Sequence, residues 1–187
     1  MELKYFTRKS ILKGETNKLR RSSKIPAIMY SAGEKSENIF IDLPEFSKVL
    51  AKLPKGKLST TVFTLLGDDK KKTKAIVKEI QYERTSYKIL HLDFLILKDK
   101  NFVNLKVPLH SIGMEICDGI KQGGTLRQVI RKVKVKCLPK DIPSEFVLDI
   151  SDLSIKESKR LKDINLPKGV FLKSPENEVA VVIAKGN

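Results

Sequence analysis

Short β-branched runs, interrupted by Gly, Pro and Asp at intervals too short for helices, dominate this chain and restrict it to a mainly β architecture. The spacing predicts strands at Ile25–Tyr30, Asn38–Asp42, Ser59–Leu66, Lys74–Tyr82 and Lys88–Leu97. One helix stands out among them. Pro44 falls near its first turn, Phe46, Val49, Leu50 and Leu53 recur at helical spacing, and Pro54 with Gly56 ends it. The polar stretch Leu97-Lys-Asp-Lys-Asn101 lies between two strand-like runs and reads as a linker over 98–101. Beyond it the strand pattern restarts, with runs at Phe102–Leu109, Thr125–Leu138, Glu145–Ile150 and Glu178–Ala184 joined by Gly123-Gly124, Pro139, Pro143 and Pro167. The organisation expected is therefore a domain over 1–97, the linker, and a second all-β domain over 102–187. Another turn is expected in the charged tract at residues 68–72.

At 187 residues and 41% hydrophobic content, the chain can bury a core in each half. No apolar run approaches the roughly 18 residues that a membrane span needs. Met1 to Arg8 has no long apolar core of the kind a secretory signal carries, so a cytoplasmic protein is expected. Cys117 and Cys137 have no CxxC spacing or nearby histidine to build a zinc site, and read as two unrelated buried thiols. Neither a metal nor a cofactor is expected.

The formal net charge is +15, a field that attracts polyanions whatever the fold. Residues 1–98 carry 21 basic against 11 acidic side chains and residues 99–187 carry 16 against 11, so the excess is concentrated at the front. Between residues 4 and 24, eight cations face a single acid, Glu15. Nucleic acid is the leading class of partner, and a basic surface kept for solubility is the plain alternative.

Arg8 to Arg21 mixes cations with hydroxyl side chains and Gly14. Arginine forks and lysine point charges suit phosphate oxygens, and a glycine lets a sugar-phosphate chain approach the backbone closely. The stretch suits an RNA-contacting arm, although a basic loop with no such duty has the same composition. In the strand at 88–97, alternation sets Leu90, Leu92 and Phe94 on one face and His91 with Asp93 on the other. That pair suits a base with its orienting acid, two metal ligands, a structural histidine held by an acid, or a pair that hydrogen-bonds RNA. The catalytic and metal readings lack a third member nearby. Tyr30 ends an apolar strand with its hydroxyl near a rim, and Gln81 shares a strand face with Glu79. In Val133-Lys-Val-Lys-Cys137, Lys134 and Lys136 share the face opposite the apolar residues and read as a solvated surface.

The ordered series Arg8 to Arg20, Lys24-Ile-Pro-Ala-Ile-Met-Tyr30, Lys78-Glu-Ile-Gln81 and His91-Leu-Asp93-Phe94 resembles bacterial large-subunit ribosomal protein twenty-five. Val107-Pro108, Gly119 to Gly124, Cys137-Leu-Pro139, Asp141-Ile-Pro143 and Asp163 to Pro167 are similar to the long form of that family, general stress protein CTC. The resemblance implies an N-terminal six-stranded β-barrel with short helices, a second all-β domain and no catalytic site. It implies 5S rRNA as partner, with contacts at Arg8, Lys13, Arg20, Tyr30, Gln81, His91 and Asp93 and with Gly14 and Thr16 supporting them. It further implies a cytoplasmic, ribosome-associated protein, monomeric outside the ribosome, whose C-terminal domain meets other large-subunit components. Asn17 stands where the family usually has arginine, Lys78 where a glutamine contact occurs, and Lys156-Glu157 where a Gly-Asp turn is commoner. The rivals are a stress-induced nucleic-acid-binding factor acting outside the ribosome and a metal-dependent RNA hydrolase built on His91 and Asp93.

Overall fold

The computed structural model describes residues 1–8, 12–31, 33, 35–54, 56–67 and 72–185, which divide into two compact units, Met1–Asn101 and Phe102–Asn187. Of the turn expected at 68–72, only Lys72 lies among the described residues.

The first unit runs β1 (Glu2–Lys4), β2 (Phe6–Thr7), α1 (Lys13–Arg21), β3 (Lys24–Tyr30), β4 (Glu37–Asp42), α2 (Leu43–Lys52), β5 (Val62–Leu66), β6 (Lys72–Tyr82) and β7 (Ile89–Ile96). Its sheet has the order β1-β5-β6-β7-β3-β4-β2. The two edge strands are halves of one N-terminal run broken at Tyr5. Leu3 pairs in parallel with Leu65 on one side and Phe6 pairs antiparallel with Phe40 on the other. One short segment thus bridges both edges and nearly closes the sheet into the expected six-stranded barrel, which leaves little open edge for another chain to pair with.

Alternation fills the interior with Leu3, Ile25, Ala27, Ile39, Ile41, Phe63, Leu65, Leu92 and Phe94, nearly all excluded from solvent. Burial of each large apolar side chain contributes about 1.5–3 kcal/mol. The α2 helix adds Phe46 to this core, with Val49, Leu50 and Leu53 packed at its margin, so the helical spacing in the sequence has a direct structural counterpart. Gly56 follows with a φ of 87°, a left-handed conformation natural to glycine. Two expectations change here. Ser59 and Thr60 belong to a short 3₁₀ turn, Lys57–Thr60, stabilised by the Thr60 and Thr61 hydroxyls donating to the Lys57 carbonyl, and the strand begins at Val62. The basic stretch expected as an arm folds as α1 from Lys13 onward, with Glu15 in its first turn and Lys18, Arg20 and Arg21 in its last, the arrangement that suits the helix dipole.

The second unit runs β8 (Val103–Ile112), α3 (Asp118–Lys121), β9 (Gly124–Gln128), β10 (Lys132–Cys137), β11 (Phe146–Asp149), β12 (Ser158–Arg160), β13 (Val170–Leu172) and β14 (Val179–Lys185). It forms two sheets, β11-β8-β10-β13 and β12-β14-β9. The single strand expected at Thr125–Leu138 is two strands in different sheets. The chain crosses over at 129–131, where the Val129 and Ile130 amides both donate to the Ala180 carbonyl and the Gln128 amide side chain donates to the carbonyls of Leu109 and Ile130. Cys117 and Cys137 are free and buried, as the sequence indicates. Lys156 adopts a φ of 71°, so the turn at Lys156-Glu157 keeps the backbone form for which glycine is usual.

Candidate nucleic-acid interface

The outer face of β3, β6 and β7 collects the polar residues singled out in the first unit. Two cross-strand registers align them. Gln81 lies opposite His91 and Glu79 opposite Asp93, while the parallel β3–β7 pairing sets Ile28 beside Asp93 and Tyr30 beside Leu95. Strict alternation along β6 from buried Ala75 and Val77 would have turned Glu79 and Gln81 inward. A bulge at Lys78 shifts the register, puts Ile80 against the core and leaves Glu79 and Gln81 exposed.

His91 Nδ1 and Asp93 Oδ1 are 2.8 Å apart, with both side chains largely but not wholly shielded. If Nδ1 carries the proton and donates to the carboxylate, Nε2 is left as an outward acceptor. The Tyr30 hydroxyl titrates above its ordinary value, first through burial and then through the negative charges of Asp93 and Glu79, so it stays a hydrogen-bond donor well beyond neutral pH.

The cations stand beside this face on and around α1, which packs on β3. Arg20 donates through Nε (3.2 Å) and Nη2 (3.1 Å) to the Leu90 carbonyl, and through Nη1 to Asn17 Oδ1 at 3.2 Å. Leu90 is the extra residue of a second bulge and has no register partner in β3 or β6, which leaves its carbonyl to the arginine. Arg8 donates from Nη1 to the Thr16 hydroxyl at 3.3 Å and from Nη2 to Asn38 Oδ1 at 3.5 Å, and its own amide donates to the Asn38 carbonyl. These partners are uncharged, and among the described residues no carboxylate pairs with either guanidinium. Burial, and then the like charge of Arg20, pulls the Arg8 guanidinium below its ordinary pKa. Lys13 and Gly14 are exposed in the first turn of α1, and a side chain at Gly14 would meet nothing within 4 Å.

The fold therefore gathers Tyr30, Gln81, His91 and Asp93 on one sheet face, fixes Arg20 to that sheet, and joins Arg8 to Thr16. Sequence reasoning placed Glu79 beside Gln81 but missed Asn38 and the Leu90 carbonyl, which become partners only through tertiary contact. Among the described residues no cluster of three or more His, Cys, Asp or Glu side chains could hold a metal ion.

Fold and face together define a basic, two-unit β protein that presents a rigid polar surface rimmed by cations. The particular family follows from comparison. A profile described as the Ribosomal L25p family matches residues 3–94, and one described as Ribosomal protein TL5, C-terminal domain, matches residues 102–186. The chain is similar to the large ribosomal subunit protein bL25 of Chlamydia abortus, 42% identical over 185 residues that cover 99% of this chain and 100% of that protein. The bL25 proteins of Chlamydia muridarum and Chlamydia pneumoniae are 41% and 40% identical with the same coverage. The chain belongs to the bL25 family of large-ribosomal-subunit proteins, in its long form, a structural family and not an enzymatic one.

Proposed function

We propose that the protein is a structural constituent of the bacterial large ribosomal subunit, resident in the cytoplasm, that binds 5S rRNA through its N-terminal unit. The observation that carries this reading is the alignment of Tyr30, Gln81, His91 and Asp93 on one outer sheet face beside the cations of α1. A-form RNA hides its base edges in a deep, narrow major groove and offers 2′-hydroxyls, phosphates and shallow base edges across the wide minor groove. Those features call for different chemistry on the two parts of the surface. Glu79 and Asp93 are cross-strand neighbours on the sheet face and would repel phosphates, so phosphates are assigned to Arg8, Lys13 and Arg20. The sheet face is left for groove hydroxyls and base edges, with Tyr30 donating, Gln81 donating and accepting, and Asp93 accepting or orienting His91. Gly14 leaves room for the RNA backbone, and Thr16 holds the Arg8 guanidinium in place.

A salt titration of full-length protein against 5S rRNA tests the electrostatic part. With roughly three to five phosphate contacts the log–log slope of affinity against salt is expected at about −2 to −5. A slope near zero overturns it. Co-sedimentation with large subunits at growth-condition salt tests the ribosomal assignment, and a protein found wholly off the subunits supports the accessory-factor alternative.

A further inference from the structure

We propose that the outward face of β8, β10 and β13 is a second RNA-binding surface, built to hold unpaired nucleotides. This goes beyond the reading of the N-terminal unit and does not depend on it. Register fixes the composition of the face. Asn104, Lys136 and Phe171 form one cross-strand row, and Lys106 lies opposite Lys134 in the next. The Lys173 amide donates to the Lys134 carbonyl at 3.0 Å, which extends that second row, and Lys132 beside Pro108 forms a third. All five lysines are exposed, these rows contain no carboxylate, and among the described residues none of the five is ion-paired; the acids on this side of the sheet, Asp149 beside Ile112 and Glu145 at 3.6 Å from His110, lie at its β11 end.

A face kept only for solubility would not be built this way. Like charges directly opposite one another destabilise a sheet, and interspersed acids would remove that cost. Lysines guard exposed edges, yet β10, which carries three of these five, is an interior strand. The face also exposes aromatic surface that solvation does not explain. Phe102 and Phe171 are 48% and 56% exposed and meet edge to face, with ring centroids 6.2 Å apart. The Lys136 ammonium sits 5.0 Å above the Phe102 ring, which orients the cation beside the aromatic pair.

Lysines in rows next to exposed aromatic rings match the two needs of a single strand, cations along its backbone and a flat ring against a base. Lys132, Lys134 and Lys136 alternate along β10 and so stand roughly 7 Å apart on one face, a run that successive phosphates of an extended strand can follow. Phe171, whose ring is not covered by Lys136, is the stacking residue. A paired base has both faces occupied within its helix, so the selectivity expected is for unpaired RNA.

The test titrates the full chain with a labelled single-stranded RNA of about twelve nucleotides, within the usual span of such sites, and with a duplex of equal length. Phe171→Ala is expected to weaken single-strand binding about tenfold, within the range for loss of one stacking contact, and to change duplex binding less than about twofold. Phe171→Tyr, which keeps the ring, is expected to retain single-strand affinity. The Lys106→Ala, Lys134→Ala double variant is expected to lower the single-strand salt slope by about 1.4, near 0.7 for each lost phosphate contact. Thermal midpoints of all variants report folding. Wild-type single-strand affinity in Phe171→Ala, or equal losses in the Ala and Tyr variants, overturns the proposal. So does loss of large-subunit association in the lysine variant without any change in oligonucleotide binding, because the face would then meet an acidic protein.

Discussion

Arg20 has two roles that substitution can separate. Its fork occupies the Leu90 carbonyl at a β-bulge, and its charge, which no carboxylate among the described residues matches, faces the proposed RNA. Arg20→Ala is expected to cost about 1 kcal/mol of stability through the lost hydrogen bonds and to reduce the 5S salt slope by about one unit. Arg20→Lys keeps the charge but not the planar fork, so it should restore the slope without the thermal midpoint; an alanine-like slope in the lysine variant would assign the residue to the fold alone. Asp93→Ala should weaken binding with the slope unchanged or slightly steeper, because no phosphate contact is lost. Tighter binding both to 5S rRNA and to an unrelated duplex would make the carboxylate a repulsive bystander. Cys137 makes a separate residue-scale prediction: burial, and then the charge of Asp141, push its thiol up to about 11. At pH 8 only about one thiol in a thousand is thiolate by that value, so native protein should resist alkylation at Cys137 while unfolded protein reacts. Rapid modification of Cys137 in the native state, followed by peptide mass spectrometry, would contradict this.

Helix α1 joins the chemistry of the basic stretch to the sheet, and Gly14 is its test. Gly14 lies in the helix with open space where a side chain would be. Alanine there should therefore stabilise the helix, by up to about 1 kcal/mol. If RNA needs the bare backbone, Gly14→Ala should raise the thermal midpoint and still lower 5S affinity several-fold. Higher stability with unchanged affinity would remove Gly14 from the interface. Elements whose side chains alternate or recur over several residues were legible in the sequence: α2 from Phe46, Val49, Leu50 and Leu53, the barrel strands β3 to β7 from their β-branched runs, and the Lys134–Lys136 face from strict alternation, whereas the short β1 and β2 that close the barrel were not. The His91–Asp93 pair and its shared strand face were legible for the same reason. The bulges at Lys78 and Leu90 were not, because nothing in the residue types marks a one-residue slip in register. Nor was the crossover at 129–131, where an apolar Val129-Ile130 continues the strand pattern and the chain is held at the switch between sheets by tertiary partners, among them the Ala180 carbonyl about fifty residues on. The basic stretch concealed α1 because its helix buries no residue, so no apolar stripe was available to read.

At the scale of the molecule, the two compact units divide the charge unequally, and the division predicts separable functions. Residues 1–98 carry an excess of ten positive charges against five for residues 99–187. The first unit contains the barrel core, the segment that bridges both sheet edges and all the side chains assigned to 5S rRNA. A fragment of residues 1–97 retains the hydrogen bond from the Leu97 amide to the Lys74 carbonyl, so the end of β7 stays anchored after the cut. The second unit has its own buried set, including Val107, Val133, Val135, Phe146, Leu148, Val181 and Ile183, which is what independent folding requires. Both fragments should therefore unfold cooperatively on their own. Residues 1–97 should keep most of the 5S affinity, and residues 100–187 should bind 5S rRNA weakly, because their lysines lie in rows on a sheet without the polar groove-facing set of the first unit. Equilibrium titration of each fragment at one salt concentration, with thermal melts to establish folding, decides the matter. Comparable 5S affinity in the two folded halves would place the site elsewhere, and a first fragment that folds but does not bind would show that the long form reads 5S rRNA only as a whole.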